Sequence, residues 1–336
     1  MNTDAAPSPE LFFNTLTAYQ KTAALKAAIE LDVFTAIAKG SATVPEIAQA
    51  CGANDRGIRI LCDYLTIHGF LQKSEDRYSL TPDTAVFLSR QSPAYSGGIA
   101  DFLVSEHLTT AFGRLTEAVR HGGTSDQGSV APEHPMWLTF AESMGVLMAP
   151  AAAGLAEIIP LDQDRPAKVL DISASHGTWG IAFGKKNPQA HLVALDWAPV
   201  LEIATRNANA AGLAGRFSTL TGNALEVDLG QDYDLILVPN FLHHFDAADC
   251  VRFLKRCHAA LRPGGKVAVV EFVPNSDRVT PPPAAAFSLV MLASTPSGDA
   301  YTFEELGAML TEAGFETSSL HPLPASMNVA VIAARS

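Results

Sequence analysis

Two apolar runs in the middle of the chain, 167–170 and 191–195, each end in an acid, Asp171 and Asp196. A run of small residues and a stretch of helical character, 178–186, lie between them. This order predicts a parallel βαβ crossover that binds a nucleoside at its mouth. Small residues let the backbone approach the ligand, and the second acid accepts from ribose hydroxyls. Where glycines normally stand in such a loop, this chain has Ser173, Ala174 and Ser175, keeping only Gly177. Glycine reaches left-handed backbone without strain. Serine reaches it at a cost, but brings hydroxyls that can hydrogen-bond a ligand.

The crossover belongs to a longer alternation. Strands are predicted at 167–171, 191–196, 216–220, 233–238 and 266–272, with helices between them and a Pro-Gly turn at 262–265 leading into the fifth. Two last strands, 316–320 and 328–333, have the pattern of an antiparallel edge hairpin. The result is an open, mostly parallel sheet with helices on both faces.

The first half reads differently. Residues 11–37 carry apolar side chains at helical spacing, a second helix starts near Thr43 and stops at Gly52, and a third covers 55–68 and stops at Gly69. Segments 70–72 and 77–80 flank a polar turn and predict a β-hairpin. Three helices and a hairpin make a winged helix, which raises DNA binding as a function. The third helix has Arg56 and Arg59 but also Asp55 and Asp63, and the formal net charge is −12. Phosphate needs a basic face, so a nucleic-acid partner is disfavoured and a helical docking module preferred.

From 93 to 161 the pattern stays helical, broken by a glycine-rich loop at 121–129. Trp137, Phe140, Met144, Leu147 and Met148 fall roughly on one face, as core or as the wall of an apolar pocket. Cys51, Cys62, Cys250 and Cys257 are scattered and read as reduced thiols. No run approaches a membrane span, and 1–10 lacks a signal pattern, so the expectation is a cytoplasmic protein with no membrane partner.

Taken in order, these motifs resemble the S-adenosylmethionine-dependent small-molecule O-methyltransferases of the caffeic-acid and acetylserotonin type, enzymes of secondary metabolism. The resemblance runs from about residue 11 to the end. It implies an α/β protein in three parts: a winged-helix dimerisation domain (1–95), a helical linker contributing to the substrate pocket (96–160), and a Rossmann-like, seven-stranded methyltransferase domain (161–336). It also implies a homodimer. By the same resemblance, 171–177 would hold the methionine end of the cofactor, with Asp171, Ser173 and Gly177 as contacts. Asp196 would take the ribose, Trp197 the adenine, and Asn223 and Ala224 would stand beside the adenine, with Pro239 as a further cofactor contact. The product would be S-adenosylhomocysteine.

The catalytic part of the resemblance falls on 241–246. The family's Leu-His-Asp-Trp motif puts its general base at His243, and the partner carboxylate matches Glu271. A further acid of many plant members falls near Ala300, so that role is absent or passes to Asp299, while His244 replaces the usual acid beside the base. The physical reading agrees. If strands one, four and five are neighbours, His243 and Glu271 emerge at the carboxyl ends of adjacent strands, where open α/β sheets bind ligands. Histidine suits an acidic hydroxyl such as a phenol as base, and a carboxylate on its other ring nitrogen fixes the tautomer. A metal at His243, His244 and Asp246 is rejected, because adjacent side chains point apart.

Phe102, Trp137, Phe140, Met144, Met148, Phe241, His244, Phe287 and Met291 suggest an apolar cavity for an aromatic acceptor, phenolic or polyketide-like. Two alternatives stand beside methyl transfer to oxygen. One is a relative that binds S-adenosylmethionine and runs a hydroxylase- or decarboxylase-like reaction; the other is a winged-helix regulator.

Overall fold

The computed structural model describes residues 7–162 and 164–336, which divide into two compact units, one ending at Val104 and the other Ser105–Ser336. The first unit opens with α1 (Glu10–Leu16), α2 (Ala18–Glu30) and α3 (Val33–Ala38). Residues 11–37 are therefore helical but not one helix. Asp32 takes a left-handed φ of 59°, which breaks the run and lets α3 fold back on α2. Next come α4 (Val44–Cys51) and α5 (Asp55–Ile67). Thr43 and Glu46 form a reciprocal capping box, and Gly52 ends α4 in the left-handed region. The hairpin β1 (Leu71–Ser74) and β2 (Arg77–Leu80) pairs antiparallel, and α6 (Pro82–Phe87) and α7 (Ile99–Leu103) complete the unit. Its core gathers Phe34, Ile47, Ile58, Leu65 and Tyr78. Asp63 ties α5 to the hairpin, accepting from Tyr78 Oη at 2.7 Å and Lys73 Nζ at 2.6 Å, and also pairs with Arg59.

The second unit begins with α8 (Glu106–Gly113), α9 (Leu115–His121), α10 (Met136–Ser143) and α11 (Gly145–Ile158). The apolar stripe that reads as one helix face is bent by 66° between α10 and α11. Among the described residues no single helix is long and apolar enough to cross a membrane. This bent pair has the length and composition, but Ala151, Ala152, Leu155 and Ala156 of α11 are buried in the core.

The sheet follows: β3 (Lys168–Ile172), α12 (Thr178–Lys186), β4 (His191–Asp196), α13 (Ala198–Ala210), β5 (Phe217–Thr221), β6 (Tyr233–Pro239), α14 (Ala247–Ala260), β7 (Leu261–Glu271), α15 (Pro282–Ser294), α16 (Phe303–Glu312), β8 (Ser319–Pro322) and β9 (Val329–Ala334). The strand order is β5-β4-β3-β6-β7-β9-β8, with only the last two strands antiparallel to their neighbours. Alternate residues serve opposite faces. Ile236, Val238, Val267 and Val269 pack toward α14 and α16, while Leu235, Leu237, Ala268 and Val270 pack with α11 and α12.

Two sequence expectations shift. The 262–265 turn lies inside β7, because Leu261 already pairs with Tyr233 and the register jumps before Lys266 pairs with Leu235. The first tail strand starts at Ser319 instead of residue 316, although Glu316 N still donates to Ala334 O at 3.0 Å.

At the amino ends of the strands, the buried Asp234 side chain accepts from Lys168 N at 2.7 Å and pairs with Arg165 and Arg262. One carboxylate thus fastens the start of β6 to the starts of β3 and β7.

Leu155 is fully buried between α11 and the sheet. Leu155→Ala is expected to lower unfolding free energy by about 2–5 kcal/mol, read as a lower midpoint in denaturant titration.

Candidate active site

The carboxyl ends of β3, β4, β6 and β7 lie side by side, and every titratable residue of the candidate site sits there. Ser173 (φ 50°), Ser175 (φ 53°) and Gly177 (φ 74°) all take left-handed backbone, so the serines adopt the conformation that glycine reaches without strain. The loop is anchored on both sides. Ala174 N donates to Leu195 O at 3.0 Å, and Ser175 N donates to Asp196 Oδ2 at 2.8 Å. A Cβ on Gly177 would come within 3.3 Å of Ala204 and Ile181, so the glycine is also needed for close approach to α13.

Asp171 is 2% exposed; Oδ2 accepts from Gly180 N at 2.8 Å, and Oδ1 has no partner. Desolvation pushes its carboxyl up to about 8, opposed by the Gly180 bond and aided by the nearby Asp196. Asp196 accepts from Ser175 N and, through Oδ1, from Trp197 N at 2.7 Å, and burial pushes it up to about 6. Asn223 Oδ1 accepts from Leu225 N at 3.0 Å in a local turn, and Ala224 is buried. Trp197 packs with Trp137, Ala141, Val200 and Ile203.

At the end of β6, Pro239 is followed by Asn240 in left-handed backbone (φ 51°), whose N–H donates to Val270 O at 2.8 Å. This turn sends the chain across the end of β7. There Glu271 Oε1 accepts from Phe241 N at 3.0 Å and His243 N at 3.3 Å, and Oε2 meets His243 Nδ1 at 2.5 Å. Both partners are buried, at 4% exposure for His243 and 1% for Glu271. Because a carboxylate only accepts, Nδ1 carries the proton, and Nε2 is the basic nitrogen, with no hydrogen-bond partner among the described residues.

Rings surround this pair. Phe287 meets His243 edge-on at 4.8 Å and stacks on Phe272 at 3.9 Å. His244 lies 4.3 Å from His243 and 5.3 Å, edge-on, from Trp137. Desolvation, reinforced by His243, holds His244 well below the usual imidazole range, so it is neutral at pH 7. Trp137 also meets Phe140, which stacks on His176 at 6.1 Å. Met148 Sδ accepts from Asn240 Nδ2 at 3.5 Å, and Met144 and Met291 are buried.

Two expectations are corrected. Phe241 turns its ring into the core against Phe245 and Phe253, because its backbone is pinned to Glu271. Asp299 pairs with Arg278 at 3.4 Å and accepts from Ala300 N, with no hydrogen bond to His243 or Glu271. Phe102 lies in α7 of the first unit. Sequence reasoning missed Phe272 and the Asn240–Asn328 bond of 2.9 Å. The signal for Asn240 was an asparagine at a strand end, a residue that tolerates left-handed backbone.

A buried acid whose pKa is raised binds its proton more tightly in the folded state. Its contribution to stability therefore falls as pH rises from the unfolded value near ~4 through about 6 for Asp196 and about 8 for Asp171. Asp171→Asn is expected to raise the melting temperature of the ligand-free protein at pH 8 by on the order of 2–4 °C, and to change it less at pH 4.5. Thermal unfolding at both pH values checks this.

Comparison with known proteins identifies the family. Residues 160–316 match the O-methyltransferase domain family, and residues 13–90 match the O-methyltransferase dimerisation domain. The chain is 30% identical over 91% of its length to the 3-hydroxy-5-methyl-1-naphthoate 3-O-methyltransferase of Streptomyces sahachiroi, covering 89% of that protein. A solved structure of a proposed O-methyltransferase from Nostoc punctiforme superposes with a TM-score of 0.94 at 52% identity, covering 98% of this chain and 100% of the other. Human N-acetylserotonin methyltransferase, solved in complex with S-adenosylmethionine, shares the fold at a TM-score of 0.84 and 19% identity, over 100% of both chains. The two matched domains and the naphthoate methyltransferase relative, alike over nearly the whole chain, make the chain a member of the O-methyltransferase family.

Proposed function

We propose that the protein transfers a methyl group from S-adenosylmethionine to a hydroxyl of an aromatic, phenolic or polyketide-like small molecule, with His243 as general base. The observation that carries the reading is the buried His243–Glu271 pair at the carboxyl ends of β6 and β7, beside the β3 loop. The relative from Streptomyces sahachiroi acts on a hydroxynaphthoate, and the rings of Trp137, Phe140 and Phe287 suit a planar acceptor of that size.

The residues at the ends of β3 and β4 fit the cofactor. The unpartnered Oδ1 of Asp171 and hydroxyl of Ser175 supply polar atoms that a zwitterionic nucleoside can satisfy, and the left-handed loop leaves backbone open to close approach. When bound, S-adenosylmethionine supplies an electrophilic methyl on a sulfonium. The protein's part is positioning and one proton transfer. His243 Nε2 takes the proton of the acceptor hydroxyl, and Glu271 holds Nδ1–H and balances the imidazolium as it forms. The two backbone N–H groups on Oε1 fix the carboxylate, so the ring orientation is set before the acceptor arrives. His244, neutral, places no competing charge beside the imidazolium.

Residues 1–95 are read as a winged-helix dimerisation domain and 96–160 as a helical segment contributing to the pocket, ahead of a methyltransferase domain at 161–336. Leu11, Phe12, Phe13, Leu16 and Tyr19 are exposed apolar side chains on the first helices, and with the dimerisation-domain match they support a homodimer. A DNA-reading role gains nothing from α5, where Arg59 is engaged by Asp63.

His243→Ala is expected to lower kcat by about 10²–10⁴-fold on a phenol panel while leaving S-adenosylhomocysteine affinity unchanged in calorimetry. Glu271→Gln should lower kcat less and also leave that affinity intact. Full activity in His243→Ala would remove the general-base role. Absence of any nucleoside binding by the unaltered protein would remove the methyltransferase reading.

A further inference from the structure

Asp171 and His176 flank the β3 loop and share an unusual bonding pattern. Each uses one polar atom to cap the first turn of α12: Asp171 Oδ2 accepts from Gly180 N at 2.8 Å, and His176 Nδ1 accepts from Thr178 N at 3.1 Å. Each leaves its other polar atom buried and without a partner, Oδ1 in Asp171 and Nε2 in His176, and both residues are 2% exposed.

The Thr178 bond fixes the sense of the imidazole. Because Nδ1 of His176 accepts a backbone proton, the neutral ring carries its hydrogen on Nε2, which is therefore a donor. Burial holds the ring down to about 4, so it is neutral through physiological pH. Asp171 Oδ1 is an acceptor once the carboxyl is ionised, the form that a cation beside it favours. Buried polar atoms without partners are costly. The Thr178 bond orients the ring, which stacks on Phe140 and lies beside the α10–α11 corner, where a Cβ on Gly145 would come 3.2 Å from its Cγ.

An α-amino acid group offers the complementary pair, an ammonium that donates and a carboxylate that accepts. We propose that His176 is the carboxylate-recognising residue of the cofactor site: its Nε2–H donates to the carboxylate of the amino-acid end, with the ammonium directed to Asp171. This deepens the reading of the β3 loop as an S-adenosylmethionine site and rests on it. It gives the histidine of this glycine-poor loop a task as a positioning residue, distinct from the proton transfer of His243. A side-chain donor here makes the loop discriminate between nucleosides with and without an amino-acid end.

The test compares two ligands by calorimetry on the full-length protein: S-adenosylhomocysteine, and 5′-methylthioadenosine, which has the nucleoside but no amino-acid end. His176→Phe keeps the ring and its stacking but removes the Nε2 donor together with the Nδ1 acceptor of Thr178 N, and the second loss would act on both ligands alike. It is expected to weaken S-adenosylhomocysteine about tenfold or more and 5′-methylthioadenosine by less than about twofold. His176→Gln, whose amide nitrogen can stand near Nε2, is expected to recover most of the loss. Equal weakening of both ligands in the Phe and Gln variants would make His176 a packing residue of the loop and overturn the proposal. Unchanged S-adenosylhomocysteine affinity in His176→Phe would overturn it too, leaving a buried water as the partner of Nε2. In both cases continued binding of 5′-methylthioadenosine to the unaltered protein would leave the nucleoside site standing. Failure of the unaltered protein to bind either ligand would overturn the site and the proposal together.

Discussion

The Glu271 carboxylate, buried at the end of β7, organises the catalytic edge. It collects two backbone N–H groups and one imidazole from the chain that leaves β6, so three donors from 241–243 converge on a single side chain. Without it, that segment would lose the bonds that place Phe241 in the core and His243 over the neighbouring strand end. Ring orientation, the proton-bearing nitrogen and the direction of Nε2 follow from that one group. The left-handed turn at Asn240 complements it by aiming the chain across β7.

From this point a chain of ring contacts runs to the nucleoside loop. His243 touches His244, His244 touches Trp137, Trp137 touches Phe140, and Phe140 stacks on His176. These rings and the loop after β3 are thereby packed together, with α10 between them. Under the proposed function, a planar acceptor among these rings would be held by the same surfaces that hold the loop. Methyl transfer depends mostly on the approach of two reacting atoms, and such shared packing limits how far either can drift.

Much of this was legible in the sequence, and for identifiable reasons. Apolar strands alternating with helices, and the Asp171 and Asp196 strand ends, announced the sheet, because strands covered on both faces leave continuous apolar runs. The capping box at Thr43 and the stop at Gly52 were visible as local patterns too. His243 and Glu271 were paired through the family resemblance, on the condition that their strands are neighbours, and β6 does pair with β7. The less legible features are those set by distant packing. The break at Asp32 depends on how α3 folds onto α2, and the ring of Phe241 turns inward because its amide is bound 30 residues away. The early start of β7 depends on Tyr233 pairing with Leu261, a contact that no pattern within 261–271 encodes.

The two ends of the sheet are built on opposite principles. At the amino ends Asp234 joins β3, β6 and β7 through a backbone N–H and two guanidinium groups, so a buried charge there is fully answered from within the chain. At the carboxyl ends Asp171, Ser175, His176 and His244 keep buried atoms unanswered. A sheet fastened at one end can hold its strands in register while the other end carries polar groups that destabilise it. Asp234 therefore works at a distance from the chemistry: it is the fixed point that ties three strands together at the end opposite His243, and loosening it would first be felt as strand tips that no longer line up.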